Sequence, residues 1–85
     1  MRYTVTLERG PQRTLDSLRG DTYRRIIEAL RALADNPRPP GVKKLKGGRN
    51  YWRIRVGDYR LIYTVQDDRL LVTVLRIGNR RDVNG

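Results

Sequence analysis

The 85-residue sequence contains no cysteine and no histidine. The lack of cysteine excludes disulfide bonds, thiolate metal sites and cysteine nucleophiles. The lack of histidine removes the most common general base of enzymes, so zinc hydrolases and histidine-dependent nucleases are excluded as function classes. Acidic residues are also scarce, because nine Asp and Glu stand against nineteen Lys and Arg, for a formal net charge of +10.

Long hydrophobic segments are lacking as well. The N-terminal segment MRYTVTLERG has no apolar centre of the kind that secretion signals carry, and no run of 18 apolar residues occurs. We therefore expect a cytoplasmic protein with no membrane partner. The apolar share of 38% is too high for a charged disordered tail, but a chain this short has a thin core. The sequence predicts one small domain over residues 1–85 without a spacious internal active site.

The positive charge is concentrated in the middle of the chain. Residues 1–37 carry seven basic and five acidic side chains, residues 38–60 carry eight and one, and residues 61–85 carry four and three. Such a concentration costs stability through self-repulsion, whereas a polyphosphate or an acidic partner gains from it. The central segment is therefore predicted to bind an anionic partner. The alternative is a solvated basic face without a dedicated ligand.

The first half of the chain predicts a strand followed by two helices. Residues 2–8 alternate between apolar and polar side chains, as a half-buried strand does. A short helix is expected to have Pro11 in its first turn and to stop at Gly20. Asp21 is expected to cap a second helix that ends at Asn36. The predicted apolar face of this second helix consists of Tyr23, Ile26, Ile27, Leu30, Leu33 and Ala34.

The second half predicts an antiparallel meander. Its three strands are Tyr51–Val56, Tyr59–Val65 and Leu70–Ile77. A two-residue loop between the first two strands pairs Arg55 with Arg60 and places both on one face of the sheet with Arg53. The opposite face is expected to receive the helices and carries Trp52, Ile54, Val56, Tyr59, Leu61, Tyr63, Val72 and Val74. The expected fold class is α+β, in the order β-α-α-β-β-β, with two N-terminal helices on one face of a small, mainly antiparallel sheet.

The arginine pair is the strongest sign of a ligand. Like charges directly opposite each other destabilise a sheet, so an Arg55–Arg60 pair beside Arg53 points to a bound anion. In one alternative, carboxylates neutralise the arginines, and the candidates are Asp58, Asp67, Asp68 and Asp82. In the other, the arginine stems cover apolar neighbours while their charged heads reach water. Tyr51 lies on the same predicted face and is a candidate for base stacking.

Three segments carry a family resemblance: Lys43–Gly47 (KKLKG), Tyr51–Tyr63 (YWRIRVGDYRLIY) and Leu75–Val83 (LRIGNRRDV). With the order of the predicted elements, they resemble the RelE/ParE superfamily of bacterial and archaeal toxins. Within that superfamily, they are most similar to the RelE-type mRNA interferases of type II toxin–antitoxin systems. The resemblance covers essentially the whole chain and implies a single RelE-like toxin domain.

The resemblance also implies a function. RelE-type toxins enter the ribosomal A site and cut mRNA there, using the RNA's own 2′-hydroxyl as nucleophile to leave a 2′,3′-cyclic phosphate and a 5′-hydroxyl. The reaction needs charge stabilisation at the phosphate and a proton acceptor and donor, but no metal or other cofactor. The implied partners are the ribosome, mRNA and a cognate antitoxin with an acidic toxin-binding segment. The toxin alone is expected to be a monomer.

The same resemblance implies site residues. Arg53 and Arg55 fall where the family has paired basic residues, Arg60 matches the arginine that holds the scissile phosphate, and Arg80 matches the arginine after the glycine turn. By physical role, Arg60 and Arg80 would clamp phosphate oxygens, and the other two would stabilise the developing dianion. Further RNA contacts are expected from Lys43, Lys44, Lys46, Arg49, Tyr51 and Arg81.

The chain departs from the family pattern at two positions. Asn79 stands where many relatives have histidine or lysine, and Asn84 stands where they have a C-terminal tyrosine. Arginine, with a pKa above about 12, is a poor general base, so Lys46 and a hydroxyl such as that of Tyr51 stay open as candidates. Cleavage is therefore expected to be weak. Two other functions stay open: a ParE-like inhibitor of DNA gyrase, and a degenerate toxin that only binds its antitoxin and an operator complex.

Overall fold

The computed structural model describes residues 2–46 and 50–79. In chain order, its elements are β1 (Thr4–Leu7), α1 (Arg9–Ser17), α2 (Gly20–Asp35), β2 (Lys43–Lys44), β3 (Tyr51–Val56), β4 (Tyr59–Gln66) and β5 (Leu71–Asn79). The strands form one mixed sheet in the order β1-β5-β4-β3-β2, in which only β1 and β5 run parallel. Both helices pack on one face of this sheet. The predicted α+β fold is confirmed, with the two-residue strand β2 as an addition.

The β3–β4 hairpin has the predicted register. A two-residue loop pairs Val56 with Tyr59, so that Arg55 lies opposite Arg60 and Ile54 opposite Leu61. Gly57 opens this loop with a φ of 60°, a left-handed conformation that glycine adopts without the penalty of a side chain. Turn length and side-chain alternation were therefore sufficient to predict which residues share a face in this hairpin.

Strand β5 contains a bulge that the sequence pattern did not predict. Ile62 and Tyr63 are adjacent in β4, yet their partners in β5, Arg76 and Val74, are two residues apart, so that Leu75 is an extra residue. One extra residue exchanges the two faces of a strand beyond it. Without the bulge, Arg76 would share the face of Val74, which is fully buried. With it, Arg76 lies exposed on the opposite face.

The core lies between the helices and one face of the sheet. Its buried side chains are Leu15, Ile26, Leu30, Leu33, Ile54, Leu61, Tyr63, Val65, Val72, Val74 and Ile77. The predicted apolar face of the sheet is thereby confirmed. Tyr23 of α2 is an exception, because it is 42% exposed. The buried stripe of α2 is narrow, and Tyr23 lies at its margin in the first turn of the helix.

The start of α2 differs from the prediction. Gly20 does not stop α1, which ends at Ser17, but opens α2 with a φ of 61°. Arg19 is the residue at the N-cap position, and Asp21 lies inside the first turn, where its carboxylate accepts a 2.6 Å hydrogen bond from the Arg24 guanidinium. The prediction that Asp21 caps the helix was therefore wrong. The left-handed glycine lets the helix begin two residues earlier than predicted, and an acidic residue in the first turn still interacts favourably with the helix dipole.

The last points about the helices are the start of α1 and the length of the helices. Helix α1 begins at Arg9 and has Pro11 buried in its first turn, as predicted, where the missing N–H has no helical partner to lose. Within the described residues, no helix is long and apolar enough to cross a membrane.

Candidate nucleic-acid interface

The sheet face that points away from the helices, which we call the outer face, carries the predicted arginines. Arg53 and Arg55 of β3 alternate with the buried Ile54, and Arg60 of β4 precedes the buried Leu61. Side chains alternate between the two faces of a strand, so all three arginines belong to the outer face. The bulge adds Arg76 of β5, which was not among the predicted site residues. The sequence predicts that Arg76 belongs to this strand, but it does not predict the bulge that turns the Arg76 side chain to the outer face.

The strand register arranges the outer face in two rows. Lys43, Arg53, Ile62 and Arg76 are successive partners across β2, β3, β4 and β5. Arg55, Arg60 and Gly78 form the parallel row closer to the hairpin turn. Neighbouring strands lie about 4.8 Å apart, so five cationic side chains share a small area. A phosphate that binds there can contact more than one of them.

The arginines of the two rows differ in exposure. Arg55 and Arg76 are exposed, Arg60 is half-buried with its Nε atom buried, and Arg53 is only 9% exposed. Strand β2 pairs with Trp52 and Arg53 but stops before Arg55, so that Arg53 is interior to the sheet and Arg55 is at its free edge. Arg55 and Arg76 are therefore accessible from solvent, whereas Arg53 is enclosed by the sheet. Arg53 and Arg55 thus have different environments, and their roles at the site stay a prediction.

Among the described residues, no carboxylate pairs with the exposed arginines of the outer face. Within residues 2–46 and 50–79, no carboxylate lies within 4.0 Å of the guanidinium nitrogens of Arg53, Arg55 or Arg76. Asp67, one of the carboxylates considered for this role, pairs with Arg38 instead. Asp82, another of them, lies outside the described residues. The other alternative has support at Ile62, which is only 8% exposed on the outer face, as expected where arginine stems lie over an apolar neighbour.

The remaining residues that were predicted to contact RNA do not all lie on the outer face. Tyr51 is 39% exposed in β3, and its alternation with Arg53 and Arg55 places it on the outer face. Lys43 lies opposite Arg53, but Lys44 lies opposite Trp52 on the helix side. Lys46 is exposed beyond β2. Three predicted residues lie outside the described ranges: Arg49, Arg80 and Arg81.

A second group of side chains, which we call the connector cluster, joins the chain after α2 to the sheet. It consists of Tyr3, Arg38, Lys44, Trp52 and Asp67. The Arg38 guanidinium donates hydrogen bonds of 2.8 and 3.1 Å to the Asp67 carboxylate, which also accepts a 2.6 Å bond from the Tyr3 hydroxyl. These hydrogen bonds lower the pKa of Asp67 to about 2. The bond to Asp67 also raises the pKa of Tyr3.

Trp52 completes the connector cluster. The Arg38 Cζ atom lies 5.0 Å from the centroid of its ring, and the Lys44 Nζ atom lies 5.6 Å from it, both within cation–π range. Tyr63 lies near this end of the core and donates a 2.7 Å hydrogen bond to the Pro37 carbonyl, while burial raises its pKa to about 12. The predicted core positions of Trp52 and Tyr63 are confirmed. The structural role of Arg38 could not be predicted, because Asp67 is 29 residues away in the chain.

A groove runs beside the outer face at the free edge of β3. It has a volume of about 530 Å³ and lies between α2, the loop of residues 39–41 and β3. Its lining includes Ala29, Ala32, Pro39, Pro40, Gly41, Ile54 and Val56, together with the basic residues Lys43, Arg53 and Arg55. The groove thus combines an apolar floor with positive charge, which suits an extended segment that carries both apolar and acidic side chains.

Comparison with known proteins supplies the family. The model of the ParE toxins of type II toxin–antitoxin systems (parDE) matches residues 7–84. The chain belongs to the RelE/ParE superfamily. Among solved structures, this toxin is similar to RelE in the archaeal RelE–RelB complex from Pyrococcus horikoshii OT3, with 32% sequence identity and a TM-score of 0.84. The alignment covers 98% of this chain and 100% of that one.

Two further structures agree with this assignment. The toxin–antitoxin complex RelBE2 from Mycobacterium tuberculosis matches with 27% identity and a TM-score of 0.80, over 93% of this chain and 92% of that chain. The RelB–RelE complex from Methanococcus jannaschii matches with 26% identity and a TM-score of 0.71, over 91% and 92%. The resemblance seen in the three sequence segments is therefore confirmed: the protein is a RelE-family toxin of a type II toxin–antitoxin system with a RelE-like fold.

Proposed function

We propose that this toxin is a ribosome-dependent endoribonuclease that cleaves mRNA in the A site. The observation that carries the proposal is the cross-strand pair of Arg55 and Arg60 on the outer face. Directly opposed like charges destabilise a sheet unless an anion lies between them, and Arg55 has no carboxylate partner among the described residues. A phosphodiester supplies that anion.

The cleavage step is an attack of the RNA 2′-hydroxyl on the adjacent phosphorus. The bond between the 2′-oxygen and phosphorus forms, the bond to the 5′-oxygen breaks, and the products are a 2′,3′-cyclic phosphate and a 5′-hydroxyl. One proton passes from the 2′-hydroxyl to a general base, and one is delivered to the leaving oxygen. Negative charge builds up on the non-bridging oxygens, and preorganised guanidinium donors stabilise it.

The outer face supplies those donors. Arg60 and Arg55 approach the non-bridging oxygens with planar forks, while the buried Arg53 stabilises the same charge from within the sheet. Arg80 acts with Arg60 as a clamp in this proposal. Tyr51 is an exposed hydroxyl on the same face and, with Lys46, is a candidate for the proton transfers. The mechanism uses no metal and no other cofactor.

The proposed partners follow from charge and from the relatives. The ribosome and mRNA are polyanions that match the basic outer face, and a toxin that acts on them is proposed to be cytoplasmic. The relatives from P. horikoshii and M. tuberculosis were solved as toxin–antitoxin complexes. We propose a cognate antitoxin for this chain, with an acidic segment that covers part of the outer face or lies in the basic-rimmed groove beside α2. The toxin without its antitoxin is proposed to be a monomer.

A second candidate function is inhibition of DNA gyrase. The observation that favours it is the match of the ParE toxin family model over residues 7–84. A gyrase inhibitor needs no RNA-cleaving residues, so asparagine at positions 79 and 84 would not impair its activity. The third candidate, a degenerate toxin that only binds its antitoxin and an operator complex, predicts no toxicity when the chain is expressed alone.

Purified toxin and programmed ribosomes decide among these functions. A defined codon is placed in the A site, and the fragments are mapped by primer extension with chemical identification of both ends. A new 5′-hydroxyl and a 2′,3′-cyclic phosphate in the A-site codon are expected. The same preparation is incubated with gyrase and supercoiled plasmid as the second arm. Intact mRNA together with gyrase-dependent DNA breakage would establish the gyrase function, and neither activity would leave the degenerate toxin.

The salt dependence of RNA binding tests the anion site separately from cleavage. Each phosphate contact on single-stranded RNA lowers the slope of log affinity against log salt by about 0.7, so three or four contacts give a slope of about −2 to −3. Fluorescence anisotropy with a labelled oligonucleotide measures it. A nearly flat slope would contradict the assignment of the outer face to a polyphosphate.

A further inference from the structure

We propose that Arg76 and the shallow cavity beside it form a second nucleotide subsite, next to the phosphate held by Arg55 and Arg60. Arg76 would bind the phosphate of the neighbouring nucleotide, and the cavity would take its sugar or base. The inference rests on the proposed function, since the subsite continues the same RNA path across the sheet. It assigns a role to the β5 bulge, which the cleavage mechanism itself does not use.

The first observation is the bulge. It places Leu75 out of register and thereby turns Arg76 away from the core to a position opposite Ile62. Bulges are common next to binding sites, where they re-aim one side chain. A regular β5 strand with an apolar residue at position 76 and a polar residue at position 77 would fill the core equally well. Core packing alone therefore does not explain why this strand has a bulge followed by an arginine. A ligand contact supplies one.

The second observation is the electrostatic environment of Arg76. Its side chain is exposed, and no carboxylate within residues 2–46 and 50–79 lies within ion-pair distance of it. On the sheet, Arg76 follows Arg53 and Ile62 in one row and is the diagonal neighbour of Arg60 in the other. Arg76 therefore adds a cation on β5 to those of the outer face, on the side of Arg60 that is away from Arg55.

The third observation is the cavity at the free part of β5. Strand β1 pairs with β5 only over residues 71–74. In the part of the chain that the structure describes, the strand edge beyond Val74 therefore has no neighbouring strand, and α1 packs beside β5. A cavity of about 240 Å³ lies there, lined by Gly10, Pro11, Thr14, Leu75, Arg76 and Ile77. Its lining combines polar and apolar surface, and Arg76 is its charged side chain. A recess of mixed polarity beside a guanidinium is suited to a nucleotide, because the sugar offers both hydroxyl groups and carbon surface while the phosphate pairs with the arginine.

The subsite is tested with four single variants and the wild type. Arg76→Ala removes the phosphate contact. Gly10→Leu adds a bulky side chain at the lining of the cavity, where a Cβ at Gly10 would meet no atom within 4 Å and therefore requires no shift of the neighbours. Gly10→Ala is its matched control that adds only one methyl group. Arg31→Ala is the control for lost charge, since Arg31 is exposed on α2 at the other face of the molecule. Circular dichroism confirms folding of each variant.

Binding is measured with a series of single-stranded RNA oligonucleotides that are shortened one nucleotide at a time. In the wild type, removal of the nucleotide that fills the subsite is expected to weaken binding about fivefold, the upper range for one exposed charge pair. Arg76→Ala and Gly10→Leu are each expected to weaken the full-length oligonucleotide about fivefold and to abolish the further loss on shortening. Arg76→Ala is also expected to make the salt slope shallower by about 0.7. Gly10→Ala and Arg31→Ala are expected to bind the full-length oligonucleotide within a factor of two of the wild type.

Each outcome separates the subsite from the proposed function. Unchanged affinity and an unchanged response to shortening in Arg76→Ala would overturn the subsite, even if the wild type cleaves mRNA on ribosomes. A loss in Gly10→Ala equal to that in Gly10→Leu would overturn the cavity as its binding pocket. A wild type that shows the Arg76-dependent step but no ribosomal cleavage would keep the subsite and overturn the endoribonuclease function. A wild type that binds no RNA would overturn both.

Discussion

The connector cluster and the outer face both carry cations from the basic centre of the chain, but the fold treats them differently. Arg38 is held by two hydrogen bonds to Asp67 and by the ring of Trp52. On the outer face, Arg55 and Arg76 are exposed, and among the described residues no carboxylate pairs with either. A cation that is paired within the protein, such as Arg38, stabilises the fold. An exposed cation such as Arg55 or Arg76 is available to a ligand. The comparison teaches that net charge alone does not identify a binding face.

The largest expected effect concerns the outer face. Arg60→Ala is expected to lower the rate of mRNA cleavage by about 100- to 1000-fold, the loss that follows removal of one preorganised donor to a developing negative charge. Arg38→Ala is expected to cleave at nearly the wild-type rate below its melting temperature. Single-turnover cleavage on programmed ribosomes measures both, with circular dichroism as the folding control. Equal rates for Arg60→Ala and the wild type would show that another residue holds the scissile phosphate.

The next effect concerns the antitoxin. Charge reversal at Arg53 and Arg55 together, to glutamate, is expected to weaken the complex with the cognate antitoxin at least tenfold, because opposed like charges replace complementary ones. Isothermal titration calorimetry with the purified antitoxin gives the dissociation constant. Arg31→Glu on α2 is the matched control and should change it little. If the double variant binds as tightly as the wild type, the antitoxin interface lies on the helix side instead.

A smaller effect concerns the connector cluster. Arg38→Ala is expected to reduce the free energy of unfolding by about 1–2 kcal/mol, because a partly exposed ion pair and a cation–π contact are lost together. For a domain of this size, the melting temperature should fall by about 4–16 °C. Urea denaturation and thermal scans measure the change, with Arg31→Ala expected to stay within about 0.5 kcal/mol of the wild type. If Arg38→Ala lost RNA affinity but kept its stability, Arg38 would belong to the RNA-binding surface and not to a structural cluster.

The smallest effect is a dependence of stability on pH. Asp67 has a pKa of about 2 in the folded chain against the ordinary value of 3.8, so the unfolded chain binds more protons between these values. Its contribution to stability is therefore complete above about pH 4 and is lost as the pH falls towards 2. Asp67→Asn should be less stable than the wild type at neutral pH, and the difference should shrink over this acid range. A constant difference from pH 6 to 2 would contradict the hydrogen-bonded state of Asp67.

Local patterns in the sequence were sufficient for part of the fold and of the site. The two-residue turn and the alternation of side chains predict the β3–β4 register, and with it the Arg55–Arg60 pair. Both depend on residues that are close in the chain, so turn geometry alone brings them together. The start of α2 was mispredicted, because the left-handed conformation of Gly20 competes with the capping preference of Asp21.

Contacts between distant segments were decided only by the tertiary structure. The pairing of Arg38 with Asp67, the burial of Arg53 beside β2 and the outward turn of Arg76 each depend on how separate strands meet. Composition and motifs determined the basic character of the chain, its α+β fold and its likeness to RelE-type toxins. Packing decided which cations are neutralised and which remain open, because a charge is paired or exposed according to its neighbours in space and not in sequence.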